Sequence, residues 1–165
     1  MEANNCKQLY LRGSRMKKDW ILHHIGMVVR DLDKSVEYYQ SMGQVEKVST
    51  LLTAEGKSAK LLGKFLRVGS LNIELWQPIR GATVQQEFLD TRGEGINHLA
   101  YIIDDYEKEY VDLVENRGIR LVFGSKPPFS GSGQAGYFDT REDGHNTLLE
   151  LMAIPPGRDM IRWET

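Results

Sequence analysis

Two stretches of the chain repeat one rhythm of apolar and polar positions. "HIGMVVRDLDKSVEYYQSMG" (24–43) and "HLAYIIDDYEKEYVDLVENRG" (98–118) each run from a histidine through an apolar strand, an acidic turn, an amphipathic helix and a glycine. Val36, Tyr39 and Met42 recur at helical spacing in the first, as do Tyr110, Leu113 and Val114 in the second. Asp31 or Asp33, and Asp104 or Asp105, are placed to cap the helix starts, while Gly43 and Gly118 fall where a helix would stop. Strand-like segments follow each helix: "QVEKVSTLLT", "SAKLLGKFLRVG" and "SLNIELWQP" after the first, "IRLVFG", "AGYFDT" and "NTLLELMAIP" after the second. Each half therefore predicts strand–helix–strand–strand–strand, as an old duplication would leave it. The joining segment "IRGATVQQEFLDTRGEG" (79–95) has room for a short helix. Modules are expected at about 20–78 and 95–155 in a single domain spanning 20–155. Residues 1–19 lack periodicity and are expected to form a loose arm, in which Met16 is an alternative start; residues 156–165 form a C-terminal tail.

Four polar residues occupy corresponding places in the two halves. His24 and His98 lie on the first strand of each half, and Glu74 and Glu150 on the last. Strand alternation puts His24 on one face with Leu22, Gly26 and Val28, and His98 with Ile96, Ala100 and Ile102. The residue two positions after each histidine is small, which leaves room for an imidazole. Ile73 and Leu75 flank Glu74, and Leu149 and Leu151 flank Glu150, so the apolar neighbours can cover the helices while the carboxylates point the other way. A pseudo-twofold arrangement brings all four onto one concave face. Two imidazoles and two carboxylates suit one divalent ion, Zn, Ni, Co or Mn, with open positions for a Lewis-acid role. A lone strand histidine is more often structural; four matched positions in a repeat point to a metal. His23, by the same alternation, faces away and is expected to play no part.

Composition narrows the partners. The chain has 165 residues, 41% hydrophobic and 27% charged, with a formal charge of −2, which is ordinary for a soluble globular protein. "RGSRMKK" (12–18) is the densest basic run and is too short for a nucleic-acid footprint. Cys6 is the only cysteine, so an internal disulfide or a multi-cysteine metal site is excluded. No secretory h-region or membrane-length apolar run is present, and a cytoplasmic location is the expectation.

"HHIGMVVRDLDKSVEYYQSMG", "RGEGINHLAYIIDD" and "AGYFDTREDGHNTLLELM" make residues 20–155 resemble the vicinal-oxygen-chelate superfamily, in its glyoxalase I and methylmalonyl-CoA epimerase branches. The resemblance implies an α+β fold, two βαβββ modules forming a curved, mixed, mostly antiparallel sheet around a metal cleft. It places the metal ligands on the same four residues, His24, Glu74, His98 and Glu150. It also implies a metal-dependent isomerase, epimerase or lyase that takes a proton from the carbon beside a carbonyl of a small 2-oxo, 2-hydroxy or acyl-thioester substrate. Glu150 would be the base and Glu74 the second candidate. A homodimer is implied as well. Epimerases of the family carry a second acid/base in an "EQG"-like segment, and only Glu55 in "LLTAEGKSAK" loosely matches it. The loop "GSKPPFSGSGQAG" (124–136) lies where relatives bound the pocket, so Lys126 or Gln134 would meet a polar tail of the substrate. Trp76 is placed to wall the pocket, and "EDGHN" (142–146) reads as a turn that keeps His145 exposed. Two other functions fit the pattern less well. An extradiol-type Fe(II) dioxygenase needs only two histidines and one carboxylate, and a metal-free drug-binding protein needs none of the four.

Overall fold

The computed structural model describes residues 20–129, 133–144, 146–155, 157–158 and 160–164. The first half contains strand β1 (Ile21–Val28), helix α1 (Leu32–Ser41), and strands β2 (Val45–Val48), β3 (Leu52–Glu55), β4 (Lys60–Val68) and β5 (Leu71–Arg80). Helix α2 (Val84–Arg92) occupies the joining segment, with Thr83 as its N-cap. The second half contains β6 (Gly95–Ile102), α3 (Tyr106–Tyr110, continued by Val111–Asn116), β7 (Leu121–Gly124), β8 (Gln134–Phe138) and β9 (Leu148–Ala153). One nine-stranded sheet runs in the order β2-β4-β5-β1-β6-β9-β8-β7, with β3 also paired to β4. Pairs β1/β5 and β6/β9 are parallel, and all the others are antiparallel. This is the mixed α+β sheet expected, and its two halves meet edge to edge through their first strands.

Local chemistry explains the helix positions. The carboxylates of Asp31 and Asp105 accept from the backbone N–H groups of Lys34 and Lys108 at 3.1 and 3.0 Å, which caps α1 and α3. Gly43 and Gly118 follow with φ of 69° and 71°, a left-handed conformation that lets the chain leave the helix. Leu32 and Val36 of α1 bury against Leu66 and Leu75, while Tyr106 and Leu113 of α3 bury against Phe138 and Leu151. The helices thus cover one face of the sheet and leave the opposite face for the site.

Three details differ from the pattern read in the sequence. "QVEKVSTLLT" is two strands, because Ser49 interrupts it: its Oγ replaces a backbone carbonyl in accepting from Phe65 N–H at 2.8 Å, and the chain turns away. Helix α3 is α-helical only to Tyr110 and then π-helical over Val111–Asn116, so 3.6-residue spacing does not describe its whole length. The C-terminal segment crosses back to the first half. Glu164 N–H donates to Val48 O and Thr50 N–H to Arg162 O, both at 2.8 Å, Ile161 is buried, and the Arg67 guanidinium lies 5.4 Å from the Trp163 ring centre. Among the described residues no helix is long and apolar enough to cross a membrane. Residues 1–19, with the basic run and Cys6, and His145 lie outside the described residues.

Candidate metal centre

The site is built where β1 and β6 pair antiparallel. Gly26 sits opposite His98, and Ala100 opposite His24, so each histidine faces the small residue of the other half. A Cβ on Gly26 would overlap the His98 ring, which makes this glycine a requirement of close approach. Each strand also carries a β-bulge next to its histidine. Leu22 and His24 oppose the adjacent pair Tyr101 and Ala100, leaving His23 as the extra residue on β1. Gly26 and Met27 oppose His98 and Ile96, leaving Asn97 as the extra residue on β6. A bulge breaks alternation and re-aims the side chain. The expectation that His23 faces away is therefore wrong: its Nδ1 lies 2.8 Å from His24 Nδ1. Asn97 Oδ1 stands 3.2 Å from His98 Nδ1 in the matching place. With Nδ1 of each ring engaged from behind, both Nε2 atoms turn to the centre.

At that centre four buried side chains converge. His24 Nε2 lies 3.1 Å from His98 Nε2, 3.2 Å from Glu74 Oε2 and 3.2 Å from Glu150 Oε2. His98 Nε2 lies 3.3 Å from each of the same two carboxylate oxygens. One donor atom from each residue fits within 4.8 Å of every other. Metal–ligand distances of about 2.1 Å place neighbouring donors roughly 3.0–3.4 Å apart, so the five short edges have the spacing of a coordination shell. All four residues come from one chain, two from each half.

The electrostatics suit the same occupant. Burial is the largest influence on His24 and pushes its pKa down, but Glu74 and Glu150 outweigh it and raise the pKa to about 9. His98 is raised for the same reasons, against a similar burial effect. Burial pushes both carboxyls up, yet the imidazoles outweigh it and hold Glu74 and Glu150 below the usual range. Two imidazolium protons and one divalent ion carry the same charge, so exchanging one for the other leaves the site balanced. Glu150 Oε2 is buried and no described residue hydrogen-bonds to it, although both imidazole nitrogens face it. A buried carboxylate oxygen lacking a hydrogen bond but facing two imidazole nitrogens is the arrangement an ion would complete.

Around the four residues the halves are alike but not identical. Phe65 sits opposite Glu74 and packs edge-on against His24 at 5.1 Å; Tyr137 sits opposite Glu150 and packs edge-on against His98 at 4.9 Å. Burial, then the two carboxylates, push the Tyr137 phenol well above its ordinary pKa, so it stays protonated and able to donate. Trp76 does wall the cavity, and its indole N–H donates to Glu74 Oε2 at 2.6 Å. The cavity of about 350 Å³ opens over His24, Glu74 and Glu150, with further wall from Leu52, Met152 and Met160. Glu55 is not in it: that carboxylate pairs on the surface with Lys60 at 3.3 Å and Arg80 at 3.0 Å. Lys126 and Gln134 do not line it either; Phe123 and Ala135, at the two ends of their loop, do. His23, Asn97 and Tyr137 were missed from the sequence. The available signal was a polar residue immediately before each histidine, at the same offset in both repeats.

A model of the family described as the glyoxalase/bleomycin resistance protein/dioxygenase superfamily matches residues 23–138. The uncharacterized protein YqjC of Bacillus subtilis (strain 168) is 22% identical over 130 residues, covering 79% of this chain and 89% of that one. Among solved structures, a methylmalonyl-CoA epimerase bound to methylmalonyl-CoA and NH4+ aligns with a TM-score of 0.63 at 22% identity, over 84% of this chain and 96% of that one. A Streptomyces coelicolor methylmalonyl-CoA epimerase variant with 2-nitronate-propionyl-CoA gives 0.62 at 24%, over 81% and 96%. The Mycobacterium tuberculosis methylmalonyl-CoA epimerase gives 0.59 at 24%, over 82% and 88%. At these identities the likeness carries the fold.

Proposed function

This chain belongs to the glyoxalase/bleomycin resistance protein/dioxygenase superfamily, and from that premise we propose that it is a divalent-metal-dependent isomerase, epimerase or lyase acting on a small 2-oxo, 2-hydroxy or acyl-thioester compound. The observation that carries this reading is the convergence of His24, Glu74, His98 and Glu150, with His24, Glu74 and Glu150 facing one cavity and His98 buried behind them. These four residues would hold the ion, of the Zn, Ni, Co or Mn class. When bound, the ion supplies a Lewis acid beside the substrate's oxygens.

The chain's own groups then divide the work. Glu150 is the proposed base, taking the proton from the carbon next to the carbonyl, with Glu74 as the second candidate. What favours Glu150 is that Glu74 Oε2 is tied to the Trp76 indole, whereas Glu150 Oε2 has no hydrogen bond among the described residues. Glu150 is 7% exposed, so its carboxylate is poorly hydrated where it would meet the substrate. No further carboxylate lines the cavity among the described residues, and this weighs toward one-base chemistry, an isomerase or lyase, over two-base epimerisation. Four protein ligands weigh against a ring-opening dioxygenase, and a buried cluster of four ionisable groups weighs against a metal-free binding protein.

The testing experiment is metal analysis of untagged protein by plasma mass spectrometry, with a His24→Ala/Glu150→Ala double variant as control. Near-stoichiometric Zn, Ni, Co or Mn, lost in the control, is expected. It should be followed by exchange of an α-proton for deuterium on carbonyl substrates. Protein that takes up no metal even on reconstitution would sink the proposal. A homodimer, taken from the resemblance, and a cytoplasmic setting belong to the same proposal; light scattering and cell fractionation check them.

A further inference from the structure

Resting on the metal-centre reading, we infer that the natural ligand of this cavity carries an uncharged apolar group, alkyl or aryl, that packs against the walls. The walls are Leu52, Phe65, Trp76, Phe123, Met152 and Met160. Their polar groups are already engaged: the Trp76 N–H is held by Glu74, and the Tyr137 ring is packed against His98 with its phenol buried beside Glu150. Among the described side chains this leaves the Thr53 hydroxyl as the wall's free polar group.

Charge leads to the same class. No lysine or arginine lines the cavity among the described residues. The basic side chains of β4 and β5 are occupied elsewhere: Lys64 with Glu164 at 2.8 Å, Lys60 and Arg80 with Glu55, and Arg67 against Trp163. Two carboxylates already balance a divalent ion, so a second anionic group on the ligand would be desolvated with no counter-charge. An apolar group meets the opposite situation. Phe123 and Met160 at the mouth are 69% and 44% exposed, and a hydrophobic substituent would cover them. The unbranched thioethers of Met152 and Met160 adapt to either alkyl or aryl shape.

Three hydroxamates test this, because all chelate through the same two oxygens and differ only in the attached group: benzohydroxamate, acetohydroxamate and the monohydroxamate of succinic acid. Full-length protein is first titrated with Zn, then each probe is titrated calorimetrically into the loaded protein, with affinities normalised to those for free Zn. Benzohydroxamate is expected to bind about tenfold or more tighter than acetohydroxamate, consistent with burial of a phenyl ring. The succinic probe should be no tighter than acetohydroxamate. In Phe123→Ser, changed at an exposed position, the phenyl preference should shrink several-fold with Zn stoichiometry retained. Zn-loaded protein that prefers the succinic probe, or shows no phenyl preference, overturns this inference and leaves the metal centre standing. Failure to take up Zn in the first titration overturns both.

Discussion

His23 Nδ1 lies 2.8 Å from His24 Nδ1, and it reaches that position because β1 bulges at His23. One ring carries the proton and the other accepts it. With His24 Nε2 turned to the centre, the consistent arrangement has His24 Nδ1–H donating to His23. Groups behind metal-binding imidazoles fix tautomer and ring direction, and their loss typically weakens metal affinity by about 10–100-fold. His23→Ala is expected to weaken Zn binding by that amount, measured by competition with a chelating dye. His23→Asn, which copies Asn97 behind His98, should restore most of it.

Gly26 predicts a sharper effect. The His98 ring occupies the space a Cβ would need, so Gly26→Ala must push either the ring or the strand. Overpacking of this kind costs about 1–3 kcal/mol. The displaced imidazole should lower Zn affinity by about 100-fold or more, because a shift near 1 Å spoils a donor set of this spacing. Ala100→Gly, at the matching position in the other half, should leave Zn affinity near that of the parent chain.

Protonation gives a pH signature. His24 has a folded pKa of about 9 against 6.5 unfolded, so its contribution to stability is complete below pH 6.5 and lost as pH rises through about 9. Glu74 and Glu150 are lowered from 4.5, so theirs is present above pH 4.5 and lost as pH falls through their depressed folded values. Ion-free protein is therefore expected to be most stable from about pH 4.5 to 6.5 and to lose thermal stability toward pH 9. Zn must displace the imidazole protons, so its apparent affinity should rise with pH, by up to roughly 100-fold per unit while two protons leave. Scanning calorimetry with chelator and with Zn should give melting temperatures of opposite slope between pH 6.5 and 9.

The proposed base predicts a separation of binding from proton transfer. Glu150→Gln keeps an oxygen at the centre but cannot take a proton. Exchange of the substrate's α-proton with deuterium should fall by about 100-fold or more, a typical size for loss of a general base, while benzohydroxamate still binds. Full exchange with metal retained would return the role to Glu74.

Periodicity was enough to place the two repeated helices, to narrow each cap to two aspartates, and to match the positions of the four converging residues, because all of these follow from local pattern repeated twice. What it could not carry was any feature that depends on pairing across strands. Strict alternation put His23 on the wrong face, since a bulge is a mismatch between two strands and shows in one only as the polar residue before each histidine. Tyr137 has no distinguishing mark in the sequence, because its place opposite Glu150 depends on the register of β8 against β9. Ser49 was hidden in a strand-like segment because its effect comes from a hydroxyl that accepts from Phe65 N–H on another strand.

Among the described residues the returning C-terminal segment has no counterpart in the other half. It follows β9 in sequence, is stitched to Val48 and Thr50 in space, and contributes Met160 to the cavity mouth. The repeat therefore governs the chemistry at the floor, while an unrepeated tail governs part of the entrance. Substitutions in those last residues can retune which compound enters without touching a single converging donor, so relatives with the same four donors and different tails should share a reaction and differ in diet.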